Sequence, residues 1–236
     1  MALGALLGIQ ITLFLAKKEG YDSPQIKESL YQLLIYLLAG GLLGARFIYV
    51  VLNWNNFSSQ PLSILKIWEG GLVYYGGFMG ALISTVLWKR KNNLPWKKVA
   101  DWVAPGLTFG HALGRLGCLS AGCCYGLPTS MPWGITFTDP NSLAPLYKSL
   151  HPTQIYEFLY LLSLGLFLLC RSSQKRSEKL VKDGTIFIEY ILLYSLGRFI
   201  IEFYRADAPL TWNLTPGQIS SLFFFIPAIL WRIRSA

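Results

Sequence analysis

The stretch HALGRLGCLSAGCCYG, His111 to Gly126, ends an otherwise apolar segment with a histidine, an arginine and three cysteines. An arginine set among apolar residues long enough to cross a bilayer is costly, and by default it marks a functional position. The surrounding composition makes that reading the relevant one. The chain of 236 residues is 53% hydrophobic and 14% charged, and its apolar residues come in long blocks, the profile of an integral membrane protein. Its net charge of +9 would suggest nucleic acid in a soluble protein. Here the basic residues sit in short runs between apolar blocks, so the membrane accounts for them and no nucleic-acid partner is expected.

Seven apolar segments fall at about 2–16, 30–52, 71–88, 99–119, 153–170, 185–203 and 216–231. Met1 to Ala16 has no basic residues ahead of its apolar run and does not read as a secretory signal; a first membrane helix is expected there. The segment Ala2–Ala16 is shorter than the roughly 17 residues a span usually needs, and a truncated first helix is one reading of it.

Charge chooses the orientation. With the N-terminus outside, the inner segments hold Lys17, Lys18, Lys27, Lys89, Arg90, Lys91, Lys97, Lys98, Arg171, Lys175, Arg176, Lys179, Lys182, Arg232 and Arg234. The outer loops hold only Lys66, Lys148 and Arg205. The positive-inside rule therefore gives N-out, C-in. The expected fold is an all-α integral membrane protein of about seven transmembrane helices. It would form a single transmembrane domain over 1–236, with a small outer loop cap at 119–152. Prolines 128, 132, 140 and 145 bar long regular helix from that cap. The basic link 171–184 reads as a solvated inner loop, and Cys170 as a buried thiol.

Arg46, Arg115 and Arg198 remain inside helices. At 1.5 Å per residue each lies roughly 20–24 Å from the inner end of its segment, in the outer third of a core about 30 Å thick. Tyr75, four residues into a segment running the other way, falls at a similar level. His111, Arg115 and Cys118 share one helical face, as do Tyr194, Arg198, Glu202 and Arg205. Plainer readings stand beside this one. Arg115 could snorkel to the interface, Glu202 and an arginine could form a structural pair, and His151 could be a capping residue ahead of Pro152. The glycine pairs Gly40/Gly44 and Gly76/Gly80, with Gly106, Gly110 and Gly114, suit close helix packing. With Glu202 as the near carboxylate, Arg115, Arg198 and Arg205 leave a positive surplus that would hold an anion such as a phospholipid phosphate. His151, Gln154 and Glu157 are expected at the outer surface. Cys118, Cys123 and Cys124 suggest first a disulfide from Cys118 to one of the others. A zinc site is the lesser reading, since C-x4-C-C is not a standard ligand spacing, and a reactive thiol is another.

Six blocks resemble the bacterial prolipoprotein diacylglyceryl transferases, from about Lys17 to the C-terminus. They are ARFIYV (Ala45–Val50), KIWEGGLVYYGG (Lys66–Gly77), DWVAPGLTFGHALGRLG (Asp101–Gly117), HPTQIYE (His151–Glu157), YSLGRFIIEFYRAD (Tyr194–Asp207) and LTPGQISSL (Leu214–Leu222). The resemblance implies a multi-pass enzyme of the bacterial cytoplasmic (inner) membrane whose site faces the outer leaflet. Its reaction would move diacylglyceryl from phosphatidylglycerol to the lipobox cysteine in the signal peptide of a prolipoprotein. It implies no cofactor and no metal. Arg115 and Arg198 match the family's essential arginines, and Tyr194, Glu202 and Arg205 its motif positions. The implied catalytic set is Arg115, Arg198, Tyr75, His111 and His151. The substrate-binding set adds Arg205, Tyr194, Glu202, Arg46, Gly76, Gly77 and Glu157. This chain departs from the pattern at Tyr75, where the family motif has histidine. It departs again at Cys118 and Ala121, in place of asparagines, and at Cys123, in place of a glutamate. Two other functions are therefore carried alongside: a non-catalytic phospholipid- or lipoprotein-binding paralogue, and a cysteine-based redox or metal membrane protein.

Overall fold

A computed structural model of the chain describes residues 2–58, 60–178 and 182–235. It is mostly helical, as expected of an all-α membrane protein. The helices are α1 (Ala2–Lys18), α2 (Pro24–Leu52), a short α3 (Trp54–Ser58), α4 (Tyr74–Lys91), α5 (Trp96–Ala121), α6 (Thr153–Glu178), α7 (Thr185–Glu202) and α8 (Pro216–Ser235). Every one of the seven apolar segments carries a helix. Among the described residues three of these, α2, α6 and α8, are long and apolar enough to cross a membrane on length and composition. In α5 and α7 the charged and histidine side chains discussed below dilute the apolar content.

The chain divides into two compact units, Tyr21–Trp96 on one hand and Met1–Gly20 with Lys97–Ala236 on the other. In the smaller unit, Ser23 caps α2 through its hydroxyl, with Pro24 in the first turn. Helices α2 and α4 then meet through glycines. A Cβ on Gly76 would lie 2.5 Å from the Gly44 carbonyl oxygen, so the contact exists only because both positions lack one. The buried Trp88 closes the far end of this pair, its indole N–H donating to the Ser29 carbonyl at 2.8 Å. The outward faces of α2 and α4 carry Leu38, Leu43, Phe47, Leu82, Ile83 and Leu87, all exposed. In water such a surface would aggregate, whereas acyl chains solvate it.

Arg46 has a structural task in this unit. Its guanidinium, 7% exposed, donates to the carbonyls of Ser63, Ile64, Lys66, Gly70 and Gly71 over 2.7–3.3 Å. A guanidinium has five N–H groups, and all are directed at the loop between α3 and α4. Expected among the substrate-binding residues, Arg46 here has all of its donors engaged with that loop. Gly76 and Gly77, expected in the same set, both face the α2 backbone, at Gly44 and Gly41.

In the larger unit α1 rests on α5 by the same device, Gly4 against Gly110 and Gly8 against Gly106. Asp101, 2% exposed, accepts from the backbone N–H groups of Gly184 and Phe187 at 2.8 and 2.9 Å and so caps the N-terminus of α7. The core between α5, α6 and α7 is Ala104, Leu164, Leu168 and Ile186, with Tyr160, Tyr190 and Tyr194 packed around it. Residues 171–178 continue α6 instead of forming the expected loop. No proline or glycine interrupts them, and Arg171 still pairs with Glu189 of α7 at 2.9 Å. Lys179, counted among the inner basic residues, lies outside the described residues, as do the side chains of Lys175 and Arg176. Cys170 is exposed rather than buried, being on the outward side of α6.

Between α5 and α6 the chain makes a small two-stranded element. Strands β1 (Ile135–Thr136) and β2 (Ser149–Leu150) run antiparallel with Ile135 opposite Leu150. Backbone bonds tie this segment to the end of α7: Leu127 N–H donates to the Tyr204 carbonyl at 2.8 Å, and Ala206 N–H to the Tyr125 carbonyl at 3.3 Å.

Candidate active site: an alternating ladder of arginines and carboxylates

The larger unit brings together most of the polar residues singled out on its helices. Glu157, one turn into α6 and 2% exposed, is the hinge of the arrangement. Its Oε1 meets Arg115 Nη2 of α5 at 2.7 Å, and its Oε2 meets Arg198 Nη1 of α7 at 3.2 Å. The other side of Arg198 reaches Glu202 Oε2 at 2.6 Å. Glu202 Oε2 lies 3.5 Å from Arg205 Nε, and Arg205 Nη2 is 2.9 Å from Asp207 Oδ2. The result is a ladder, Arg115–Glu157–Arg198–Glu202–Arg205–Asp207, drawn from α5, α6, α7 and the segment after α7.

Three arginines face three carboxylates, so the expected positive surplus is not there. The cause is Glu157. With Gln154 (1% exposed) it turns inward from the first turns of α6, instead of staying at the outer surface. Buried like charges would repel and buried single charges would lose hydration; alternation replaces the repulsion with attraction and offsets part of the lost hydration. Nor does Arg115 snorkel away, since its side chain is only 14% exposed. One donor is still unmatched: the buried Nε–H of Arg115 has no hydrogen-bond partner among the described residues.

Around the ladder sit the aromatic and histidine side chains. His111, one turn before Arg115, places Nε2 at 3.9 Å from Glu157 Oε1 and tilts against the Tyr194 ring at 5.5 Å. Tyr194 in turn stacks on Tyr190 at 5.7 Å. His151 is elsewhere: its Nδ1 is 3.0 Å from the Tyr156 hydroxyl, its ring is edge-on to Tyr204, and Trp133 donates to the same Tyr156 oxygen. Tyr75, in the first turn of α4 in the smaller unit, is 54% exposed and packs against Tyr74.

Sequence reasoning missed the start of α8. Thr215 Oγ1 donates to Glu202 Oε1 at 2.8 Å, and Gly217 lies directly against the same carboxylate. The available signal was the polar T-P-G-Q run just ahead of an apolar segment. Asp207, five residues beyond Glu202, is the last rung.

The three cysteines are free thiols, not the expected disulfide, and their sulfurs all lie within 4.8 Å of one another. They occupy the turn where α5 ends. Cys123 N–H donates to the Cys118 carbonyl at 3.0 Å, and Gly122 and Cys124 adopt positive φ, +68° and +59°. Burial, then hydrogen bonding to Cys118, pushes the Cys123 thiol up to about 12. Burial also raises the Cys124 thiol, but Arg205 and then Arg115 outweigh it and hold the net value below that of an ordinary thiol.

Comparison with known proteins decides the family. The family model for prolipoprotein diacylglyceryl transferase matches residues 1–234. The chain belongs to this family. A phosphatidylglycerol–prolipoprotein diacylglyceryl transferase of Clostridium tetani is 36% identical over 230 residues, covering 97% of this chain and 88% of that protein. The second such transferase of Clostridium perfringens is 36% identical over 95% of this chain and 86% of its own length. The Synechococcus elongatus transferase is 32% identical over 98% and 81%. All of the ladder residues, and the three cysteines, fall within the matched span.

Proposed function

We propose that this protein moves the diacylglyceryl group of phosphatidylglycerol onto the lipobox cysteine of a prolipoprotein, as its relatives are named for doing. The thiolate sulfur attacks the glycerol carbon, a C–S bond forms, and the C–O bond to phosphorus breaks with its electron pair leaving on glycerol phosphate. Arg115 and Arg198 bind the phosphate and stabilise the charge that develops on it, with Arg205 beside them. Glu157 and Glu202 hold the guanidinium groups in register, and Tyr194 lines the site. Tyr75, His111 and His151 are the candidates for moving the proton.

The observation that carries this reading is the Glu157 bridge between Arg115 and Arg198, with one Arg115 N–H unpartnered. It sets two guanidinium groups around a single oxyanion, the geometry a phosphate would share. Seven spans, N-out and C-in, in the inner membrane of a bacterium with the site toward the outer leaflet, complete the proposal. A helix on each apolar segment and the basic bias of the inner loops support it. The proposal takes 1–236 as a single transmembrane domain with its cap at 119–152.

The test is complementation: the host's own transferase is depleted and this chain supplied, with a test lipoprotein read by mass spectrometry. The expected result is a diacylglyceryl adduct with the wild-type chain and none with Arg115→Ala. Absence of the adduct with well-expressed wild-type protein overturns the proposal. A second reading, lipid binding without turnover, is favoured by Tyr75 standing where the family motif has a histidine. It predicts phosphatidylglycerol binding unaffected by Tyr75→Phe and no adduct.

A further inference from the structure

We infer that Cys118, Cys123 and Cys124 form a binding site for a thiophilic divalent ion of the zinc class, with its fourth coordination position open to the acceptor thiol. The inference rests on the transfer reaction proposed above and names how that reaction obtains its nucleophile.

The geometry comes first. Zinc binds thiolates at about 2.3 Å, which sets tetrahedral ligand sulfurs about 3.8 Å apart. The three sulfurs already lie within 4.8 Å of one another, so closure onto an ion asks for shifts of under about 1 Å. All three are half-buried, neither sealed in the core nor spread over an open surface.

The turn that carries them is fixed independently of any ion. Cys123 N–H bonds to the Cys118 carbonyl at 3.0 Å. The Cys123 carbonyl accepts from Gln154 Nε2 at 2.8 Å, and the Cys124 carbonyl from Thr153 Oγ1 at 2.8 Å and Arg205 Nη1 at 3.3 Å. Such support around ligand residues is what holds a metal site to its geometry. Gln154, 1% exposed, leaves its Oε1 with no hydrogen-bond partner among the described residues, an acceptor on the very residue that anchors the turn.

Charge points the same way. Three thiolates and a divalent ion carry one net negative charge, and the Arg205 guanidinium stands against the same turn, its Nη1 donating to the Cys124 carbonyl at 3.3 Å. Three protein ligands plus an open fourth position is the arrangement of catalytic rather than structural zinc.

Chemistry supplies the reason for the site. Transfer needs a thiolate, and the ladder offers no free base: each of Glu157, Glu202 and Asp207 is held by an arginine. A coordinating thiol is deprotonated outright. The acceptor thiol would give its proton to solvent as its sulfur binds the ion; the thiolate attacks the glycerol carbon, the C–O bond breaks with its electron pair on glycerol phosphate, and that leaving group takes a proton back from solvent. Cys118 sits one helix turn beyond Arg115, and Cys124 lies against Arg205, so the thiols adjoin the arginines proposed to hold the phosphate.

The experiment uses the full chain, purified under reducing conditions in detergent, stripped with a chelator and titrated with Co²⁺. The expected result is one Co²⁺ per chain with sulfur-to-cobalt charge-transfer absorption, displaced by Zn²⁺ and lost in Cys118→Ser, Cys123→Ser and Cys124→Ser. Adding a peptide with a lipobox cysteine should shift the cobalt spectrum, while its serine counterpart should not. The stripped wild-type protein, monitored by gel filtration, shows whether loss of metal and loss of fold are separate. Three titratable thiols without metal, or a disulfide in the freshly purified chain, overturns the site. A cobalt spectrum blind to the peptide overturns the open position. Undiminished transfer by the stripped enzyme overturns the metal's role while leaving the proposed transfer standing, whereas failed complementation with an intact cobalt spectrum removes the reaction and keeps the ion.

Discussion

Gly217 leaves no space above Glu202. A Cβ at position 217 would lie 2.5–2.6 Å from the carboxylate carbon and oxygens of Glu202, closer than any real Cβ contact. The first turn of α8 is thus shaped around the fourth rung of the ladder. Gly217→Ala should displace that carboxylate, weaken its bond to Thr215, and cost about 1–3 kcal/mol. Thermal unfolding in detergent checks this against Gly117→Ala, where nothing lies within 4 Å of the added Cβ. Equal melting of the two variants would dismiss the packing argument.

Glu157 should be the most damaging single loss. Glu157→Gln keeps the volume but removes the charge shared by Arg115 and Arg198, leaving two guanidinium groups against one remaining neighbour, Glu202. Removing one partner of a buried pair costs about 3–5 kcal/mol. The expected readouts are a lower melting temperature and no lipoprotein adduct, with Thr215→Ala losing only about 1 kcal/mol by comparison.

Arg46→Lys exchanges five directed donors for three. The loop whose carbonyls Arg46 collects should lose about 2–3 kcal/mol of local stability. Hydrogen exchange should rise in residues 63–71 while the α2–α4 glycine contact, which does not involve Arg46, keeps its protection.

In chelator-stripped protein Cys124 should be alkylated faster at neutral pH than an ordinary thiol. Its pKa is lowered, so thiolate appears as pH rises through a value below that of free cysteine. Cys123, pushed up to about 12, should stay unmodified across the same range. Peptide mapping after brief iodoacetamide treatment separates the two. Arg205→Gln should slow Cys124 by raising its pKa, and an unchanged rate would show that Arg205 does not set it.

Much of this architecture is legible in the chain. Helices stand on all seven apolar blocks, because apolar length is a local property that tertiary context does not alter. The α7 stripe was readable too, since Arg198 and Glu202 are one turn apart and face each other in any α-helix. The partnership of Glu157 with both Arg115 and Arg198 was not. It spans three helices, and nothing local tells whether a glutamate in the first turns of α6 points to water or inward. The same holds for Arg46. Its depth could be counted, but five carbonyls gathered from a loop some 17–25 residues further on leave no periodic trace.

Arg115 and Arg198 already share an anion of their own, Glu157, with only the Arg115 Nε–H left unpaired among the described residues. On the proposed reaction, a lipid phosphate would therefore meet arginines already held by Glu157, with the unpaired Arg115 Nε–H as its first contact, rather than bare cations. When glycerol phosphate departs, Glu157 is still in place, so no naked guanidinium groups oppose its release. Such a site resists being trapped by its own product, a property suited to an enzyme whose substrate lipid is the solvent around it.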